Sequence, residues 1–154
     1  MLPKTAGLDD FAYRTPIQLR WGDFDLFDHV NNVAYYSYFE HITLTFYREH
    51  LGLDVVQGPL LCLVVENGCR FLAPIDSGEY KDAGRMITGG LRVVRLGTSS
   101  VTYNLGLFAQ DAGQPAALAY WIHVFVGRGS GRPEPISEPA RGRLADLVAG
   151  PIES

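Results

Sequence analysis

The sequence has few of the features that mark secreted, membrane-spanning or nucleic-acid-binding proteins. Two cysteines among 154 residues are too few for a disulfide framework. The stretch from Met1 to Gly7 has no apolar signal-peptide core, and no apolar run approaches the roughly 18 residues that cross a bilayer. Charged residues make up 19% of the chain and the net charge is −4, so no basic stripe is present to hold phosphate backbones. These absences predict a soluble, cytoplasmic protein that binds neither nucleic acid nor membrane.

The cysteines and histidines give no sign of a metal site. Cys62 and Cys69 lie on one predicted strand at a spacing that alternation would send to opposite faces, and we interpret both as reduced packing residues. The histidines show no metal-ligand spacing and have no cysteine near by: His29, His41, His50 and His123. We expect neither a metal nor a cofactor.

Apolar residues, in contrast, are abundant. They make up 47% of the chain, and aromatic residues 12%, with eight tyrosines and eight phenylalanines. A chain of this length fits one domain that buries roughly two thirds of its unfolded surface, and this apolar bulk exceeds what a small monomer needs. We predict a single domain over residues 13–149, a loose lead-in at 1–12, a tail at 150–154 and a buried subunit interface.

The pattern along the chain predicts one strand, one long helix and four further strands. Apolar residues recur at helical spacing from Tyr35 to Phe46, and Gly52 offers a left-handed stop after about His50 or Leu51. The predicted strands are Tyr13–Trp21, Leu60–Leu72, Arg85–Leu96 with a bend or bulge at Gly89-Gly90, Val101–Gln110 and Pro115–Val126. Pro139 suggests a short C-terminal helix over Ala140–Val148.

This order predicts an α+β fold in which a five-stranded antiparallel sheet surrounds one helix. The long helix is apolar on more than one side, which indicates that it is wrapped rather than laid on a surface. The open edges and the outer face of such a sheet still need cover, and dimerisation is the simplest way to supply it.

Polar residues gather directly before the long helix. Three acids, one histidine and two asparagines occupy the ten positions from Asp23 to Asn32, and Asn31 or Asn32 is a natural N-cap. A helix start exposes free N–H groups and the positive end of the macrodipole, so it would polarise a docked carbonyl and stabilise an oxyanion. In an arbitrary protein such acids more often only complement the helix dipole. Both interpretations stay open on this pattern alone.

Five motifs occur in order between about Tyr13 and Leu147. They are Gly22-Asp23-Phe24-Asp25, then His29-Val30-Asn31-Asn32-Val33-Ala34-Tyr35 running into Phe39-Glu40, Phe71-Leu72-Ala73-Pro74 with Gly78, Leu96-Gly97-Thr98-Ser99-Ser100-Val101, and Gly131-Arg132-Pro133-Glu134-Pro135-Ile136. The series resembles the hotdog-fold acyl-CoA thioesterases of the 4-hydroxybenzoyl-CoA thioesterase type. The first motif is fairly specific to this family. Each later motif is a weak signal by itself, and together they support the resemblance because they occur in the family's order.

The resemblance implies a fold and a site. The fold is a helix wrapped by an antiparallel sheet, paired into a homodimer with a continuous ten-stranded sheet and often into a homotetramer, with the active site at the dimer interface. Asp25 would be catalytic, and a backbone N–H at Asn32 would bind the thioester carbonyl. Asn31 and Tyr35 would contact the substrate. Coenzyme A would run past a turn made of Gly97, Thr98, Ser99 and Ser100.

The chain departs from related patterns in the acidic loop. Plant acyl-carrier-protein thioesterases have a similar run with functional Asn and His, but Phe27 takes the Asn position here, and Phe27-Asp28 replaces the common small residue or glycine. His29 remains a candidate for bonding the substrate or positioning Asp25. We interpret Asp23 as a structural residue that holds the loop in shape by accepting hydrogen bonds from its backbone N–H groups.

Other side chains receive lesser roles. Glu40 is expected to hydrogen-bond across the dimer, whereas Glu66 and Asn67, on a strand predicted to be central, would face the partner's site. Aromatic residues that suggest an apolar pocket are Phe24, Phe27, Tyr35 and Tyr38. The serines at 99 and 100 do not lie in a Gly-x-Ser-x-Gly elbow, which argues against a serine hydrolase.

The hypothesis is hydrolysis of an acyl-CoA to a free acid and coenzyme A. Asp25 would either add to the carbonyl, giving a mixed anhydride, or take a proton from water, and the sequence does not separate these routes. The alternatives are a non-catalytic acyl-CoA-binding or regulatory hotdog module, an acyl-carrier-protein thioesterase, and a hotdog dehydratase, whose chemistry typically pairs a histidine with a distant acid.

Overall fold

The computed structural model describes residues 2–77, 85–109 and 113–149. Within them, the strands are β1 Tyr13–Gln18, β2 Leu60–Phe71, β3 Met86–Leu96, β4 Ser100–Ala109 and β5 Ala117–Gly127, and the α-helices are α1 Asn32–Phe46 and α2 Ala140–Asp146. All strand pairs are antiparallel, in the spatial order β1-β3-β4-β5-β2. This confirms the predicted sheet and helices. Gly78, the predicted strand end at Gln110 and the tail 150–154 lie outside the described residues.

Helix α1 packs along one face of the sheet. Ile42 is fully buried beneath it, and the helix continues as a single π-helical turn over Tyr47–Leu51. Gly52 then ends it in the left-handed conformation, with φ of 63°, which confirms the predicted stop. The sheet packs around the helix as predicted, but Tyr36 and Leu44, two of the residues off its main apolar stripe, are exposed. One face of α1 remains open in the single chain.

The paired glycines of β3 allow close packing on both faces of the sheet. A Cβ on Gly89 would lie 2.6 Å from the Ile42 side chain of α1, and one on Gly90 would lie 2.6 Å from the Phe11 ring on the opposite face. The register with β1 and β4 runs unbroken through both glycines, and the irregularity of β3 falls nearer its end. The bulge that was one of the two alternatives predicted at this pair is therefore wrong, and the bend stays a prediction.

The lead-in covers part of the outer face. Phe11 is buried there in a small cluster with Ala6, Phe108 and Leu118, and its ring meets that of Phe108 edge-on at 5.7 Å. The prediction of a loose segment is wrong for these residues, because an apolar outer face needs cover and the chain supplies some of it itself.

A bulge in β2 changes which side chains face α1. The register shifts between Val64 and Glu66, so that Cys62 pairs with Phe125 and Cys69 with Ala119, and both cysteines pack against the core under α1. The prediction of opposite faces is wrong, because one extra residue reverses the alternation.

Within the single chain, strand β2, which carries Glu66 and Asn67, lies at the edge of the sheet and not at its centre as predicted. Its apolar side chains Leu63, Val64 and Val65 are 47%, 43% and 58% exposed. Natural proteins normally cover such an edge, because its unpaired backbone groups and apolar side chains favour pairing with another strand.

Candidate active site

A buried carboxylate organises the loop between β1 and α1. Strand β1 ends at Gln18, earlier than predicted, and Trp21–Asp23 forms a 3-10 turn. Asp23 is 6% exposed, and its Oδ2 accepts hydrogen bonds from the Tyr38 hydroxyl at 2.6 Å and from the Arg20 backbone N–H at 2.9 Å. Burial opposes ionisation of Asp23, but the bonds from Tyr38 and Arg20 outweigh it and lower the pKa of the carboxyl. These bonds confirm the prediction that Asp23 holds the loop in shape.

The same residue fixes the start of α1. The Asn31 N–H donates to the Asp23 carbonyl at 2.7 Å, and Oδ1 of Asn31 caps the helix by accepting from Val33 N–H at 2.9 Å. The Asn31 carbonyl accepts from Ala34 N–H at 2.9 Å. Among the described residues, the Asn32 N–H has no acceptor. One backbone donor at the positive end of the helix is therefore free for a ligand.

Asp25 lies in a tight turn that orients its carboxylate. Oδ1 accepts from Phe27 N–H at 2.8 Å, the Asp25 N–H donates to the His29 carbonyl at 2.9 Å, and Asp28 N–H donates to the Asp25 carbonyl at 3.2 Å. Asp28 takes a left-handed conformation, with φ of 57°, which aspartate tolerates better than most residues. In the described part of the chain, Oδ2 of Asp25 accepts no hydrogen bond, so it is free to meet a ligand.

A groove of about 440 Å³ opens in front of this turn and the helix start. Asp25, His29 and Asn32 supply its polar lining, and Tyr35 supplies part of its apolar lining. The remaining lining residues are Val30, Phe71, Leu72, Ala73 and Pro74. The structure thus brings together four of the residues predicted to form the site, with Asn31 beside them as the helix cap.

The predicted coenzyme A turn lies elsewhere. The Gly97 N–H bonds the Ser100 carbonyl at 2.8 Å, and Arg141 Nη1 donates to the Gly97 carbonyl at 2.8 Å. Ser100 pairs with Val124 near the end of the sheet that lies under the C-terminal end of α1. A single chain does not bring this turn to the groove, and its role stays a prediction: Gly97, Thr98, Ser99 and Ser100.

Two other acids are also remote from the groove. Glu40 is exposed and lines a separate cavity of about 530 Å³ between β1 and α1, with Arg20 and His41. Glu66 accepts from the Tyr120 hydroxyl at 2.9 Å. No group of three His, Cys, Asp or Glu side chains within residues 2–77, 85–109 and 113–149 is placed to hold a metal.

Three predicted pocket aromatics have other places, and Phe24 among them is partly buried against the main core. Phe27 is exposed at the tip of the acidic loop, and the Tyr38 hydroxyl binds Asp23 instead of lining the groove. This hydrogen bond was not predicted from the sequence, because Asp23 and Tyr38 are fifteen positions apart. The available signal was that Tyr38 lies off the apolar stripe of α1. None of the described helices is long and apolar enough to cross a bilayer.

A family model for the thioesterase-like superfamily matches residues 19–144. The chain belongs to this superfamily. Its membership supports thioester hydrolysis as the general activity, and no curated protein matches the chain.

Solved structures support the superfamily and the hotdog fold. The PA5185 protein from Pseudomonas aeruginosa strain PAO1 is 38% identical, covering 97% of this chain and 98% of that one, with a TM-score of 0.85. A thioesterase from Thermus thermophilus, complexed with coenzyme A and zinc, is 28% identical over 93% and 98% of the two chains, with a TM-score of 0.74. Slr0204, a 1,4-dihydroxy-2-naphthoyl-CoA thioesterase from Synechocystis, shares the fold at 15% identity, covering 88% and 96%, with a TM-score of 0.73.

Proposed function

We propose that the chain is an acyl-CoA thioesterase of the 4-hydroxybenzoyl-CoA thioesterase type, which hydrolyses an acyl-CoA to a free acid and coenzyme A. The observation that supports this most is that a free carboxylate oxygen of Asp25 and the free N–H of Asn32 border one groove. The first can act on a carbonyl carbon or on water, and the second can bind the carbonyl oxygen. The thioesterase from Thermus thermophilus, found with coenzyme A, is consistent with this substrate.

The reaction needs only these groups and water. With the carbonyl oxygen held by the Asn32 N–H, Asp25 either takes a proton from the attacking water or itself bonds the carbonyl carbon. The carbon–sulfur bond then breaks, and the thiolate of coenzyme A leaves and is protonated. On the second route, water hydrolyses the mixed anhydride and restores the carboxylate. His29, exposed at the rim of the groove, would bond the substrate or position Asp25.

We further propose that two copies pair along β2 to complete the site. Antiparallel pairing would cover the exposed edge at Leu63, Val64 and Val65 and extend the sheet to ten strands. The same pairing reverses one sheet relative to the other, so the turn at 97–100 of one copy would lie at the same end as the groove of its partner. This arrangement accounts for the separation of the turn from Asp25 in one chain. A dimer of dimers would extend the same assembly.

Release of free thiol from a panel of acyl-CoAs tests the activity. Asp25→Asn should lower kcat at least ~10²-fold with acyl-CoA binding kept, because one catalytic group is removed. Asp28→Asn is the matched control: it removes the same charge from the same loop, and asparagine also tolerates the left-handed conformation. Its kcat should stay within about threefold of the wild type.

Three outcomes would oppose this proposal. Equal losses in the two variants would mean that Asp25 has no special role. Tight acyl-CoA binding by the wild type without thiol release would favour the non-catalytic binding module. Release from acyl-carrier-protein thioesters but not from acyl-CoAs would favour an acyl-carrier-protein thioesterase.

A further inference from the structure

An aromatic ring, that of Tyr35, lines the apolar half of the groove. Tyr35 is 3% exposed, and its ring meets Phe71 edge-on at 5.1 Å and lies 6.3 Å from the ring of Tyr38. Phe71 and Leu72, at the end of β2, form the outer wall and are about half exposed. An acyl group whose carbonyl oxygen is held by the Asn32 N–H would therefore lie against the Tyr35 ring, which lines the same groove one helical turn further along α1.

The core behind Tyr35 is filled. Phe39, one helical turn further along α1, is fully buried, and its ring lies 6.2 Å from that of Trp121, which is 5% exposed. Ile42 is also fully buried and packs close to β3. Protein interiors packed this way hold few voids larger than a water molecule. An acyl chain can continue beneath α1 only if large rings move.

The depth in front of the ring is small. Tyr35 follows Asn32 by three residues, which is roughly 4.5 Å along the helix axis. With the carbonyl oxygen at the Asn32 N–H, an aliphatic acyl group of roughly four or five carbons would reach the ring. A single aromatic ring would fit the same space and could meet Tyr35 and Phe71 edge-on, the arrangement that aromatic rings prefer.

We infer that Tyr35 is a specificity-determining residue that restricts the substrate to compact acyl groups, either short aliphatic chains or a single aromatic ring. This inference rests on the proposed thioesterase activity and adds a substrate class to it. The ring acts as a stop because it is only 3% exposed and cannot turn aside without losing its contacts with Phe71 and Tyr38.

The test measures kcat/KM for butyryl-, hexanoyl-, octanoyl-, dodecanoyl- and benzoyl-CoA by thiol release. The wild type should prefer the compact substrates, with dodecanoyl-CoA the poorest of the five. Tyr35→Ala should raise the ratio of kcat/KM for octanoyl-CoA over butyryl-CoA by at least ~10-fold, because removing the ring opens apolar space for a few further carbons, whereas the filled core behind it still excludes dodecanoyl-CoA. Tyr35→Phe keeps the ring and should leave the ratio unchanged.

Tyr36→Ala is the matched control, because its side chain is exposed, does not line the groove and should not affect the ratio. Where Tyr35→Ala fails to fold, Tyr35→Leu gives the decisive ratio, since leucine is shorter than tyrosine and keeps apolar contacts. An unchanged ratio in the folded variant, or a wild type whose kcat/KM rises through dodecanoyl-CoA, would overturn the inference alone. Absence of thiol release from every acyl-CoA would instead overturn the proposed activity.

Discussion

The two ends of α1 carry similar chemical groups in opposite surroundings. At its N-terminal end, Asp25 and His29 border an open groove. At its C-terminal end, the Tyr47 hydroxyl lies 2.5 Å from Nδ1 of His123, and Cys62 Sγ lies 3.2 Å from that hydroxyl and 3.0 Å from the same nitrogen. We call these the open end and the closed end.

The closed end holds a cysteine and a histidine, residue types that often carry catalytic chemistry in other proteins. Burial raises the pKa of the Cys62 thiol to about 12 and lowers the pKa of His123 to about 4, so both are neutral at pH 7. A neutral thiol is a poor nucleophile, and the His123 Nδ1 is already engaged. The open end instead leaves a carboxylate oxygen and a backbone N–H without partners among the described residues. Access and free bonding capacity, not residue type, separate the candidate site from the core.

The largest expected effect comes from removing one backbone hydrogen at the open end. Asn32 is the first helical residue, where proline is favoured, and Asn31 has φ of −60° and ψ of 137°, which a residue before proline adopts readily. Asn32→Pro should therefore fold normally but lower kcat ~10²–10³-fold, the usual cost of losing one oxyanion donor. Thiol release and thermal melting measure the two effects.

Asn32→Ala is the control for that variant, because it removes the side chain but keeps the N–H. It should retain most of the wild-type kcat. A wild-type kcat in a folded Asn32→Pro variant would exclude this N–H as the oxyanion donor and weaken the distinction between the two ends.

The next effect is a pH dependence of stability that originates at the closed end. The pKa of His123 is about 4 in the folded chain, below the ~6.5 of an unfolded histidine. Between these values the unfolded chain binds a proton that the folded chain does not. The stability gained by keeping His123 neutral is therefore fully present above pH ~6.5. As the pH falls toward 4, the free energy of unfolding should decrease by up to about 3 kcal/mol.

Urea unfolding at several pH values between 4 and 6.5 measures the slope of the free energy of unfolding against pH. His123→Gln should flatten it, because the titrating group is gone, whereas His41→Gln, at an exposed position on α1, should keep the wild-type slope. Identical slopes in the two variants would contradict a buried neutral histidine at the closed end.

A smaller effect is expected where the open end meets the core. Tyr38→Phe removes the 2.6 Å hydrogen bond to the buried Asp23 carboxylate, while Arg20 keeps its contacts. The free energy of unfolding should fall by about 2 kcal/mol, the usual range for a bond to a charged group. Because this bond lowers the pKa of Asp23, its loss should also bring that pKa closer to the unfolded value of ~3.9, so that less stability is lost as the pH falls below this value.

Tyr36→Phe, at an exposed neighbouring position, is the control for this variant and should be neutral within about 0.5 kcal/mol. Equal stabilities of the Tyr38→Phe variant and the wild type would show that Asp23 is satisfied without Tyr38.

The comparison of the two ends also explains what the sequence could predict. The open end lies in one contiguous stretch, Asp23 to Asn32, so its turn and helix cap follow from local rules. The closed end joins Tyr47, Cys62 and His123 from one helix and two strands, and only tertiary packing brings them together. The periodicity of side chains predicted the strands and α1, but not the extra residue near Val64 that turns both cysteines inward.

The smallest expected effect is that of Tyr47→Phe at the closed end. Cys62 Sγ stays 3.0 Å from the His123 Nδ1 after the hydroxyl is removed, so the nitrogen keeps a partner and the loss should be only about 1 kcal/mol. Thiol release should be unchanged, because the closed end lies more than three turns of α1 away from Asn32. A fall in kcat without a change in KM would mean that the two ends are coupled through α1, and the closed end would then support the geometry of the helix start.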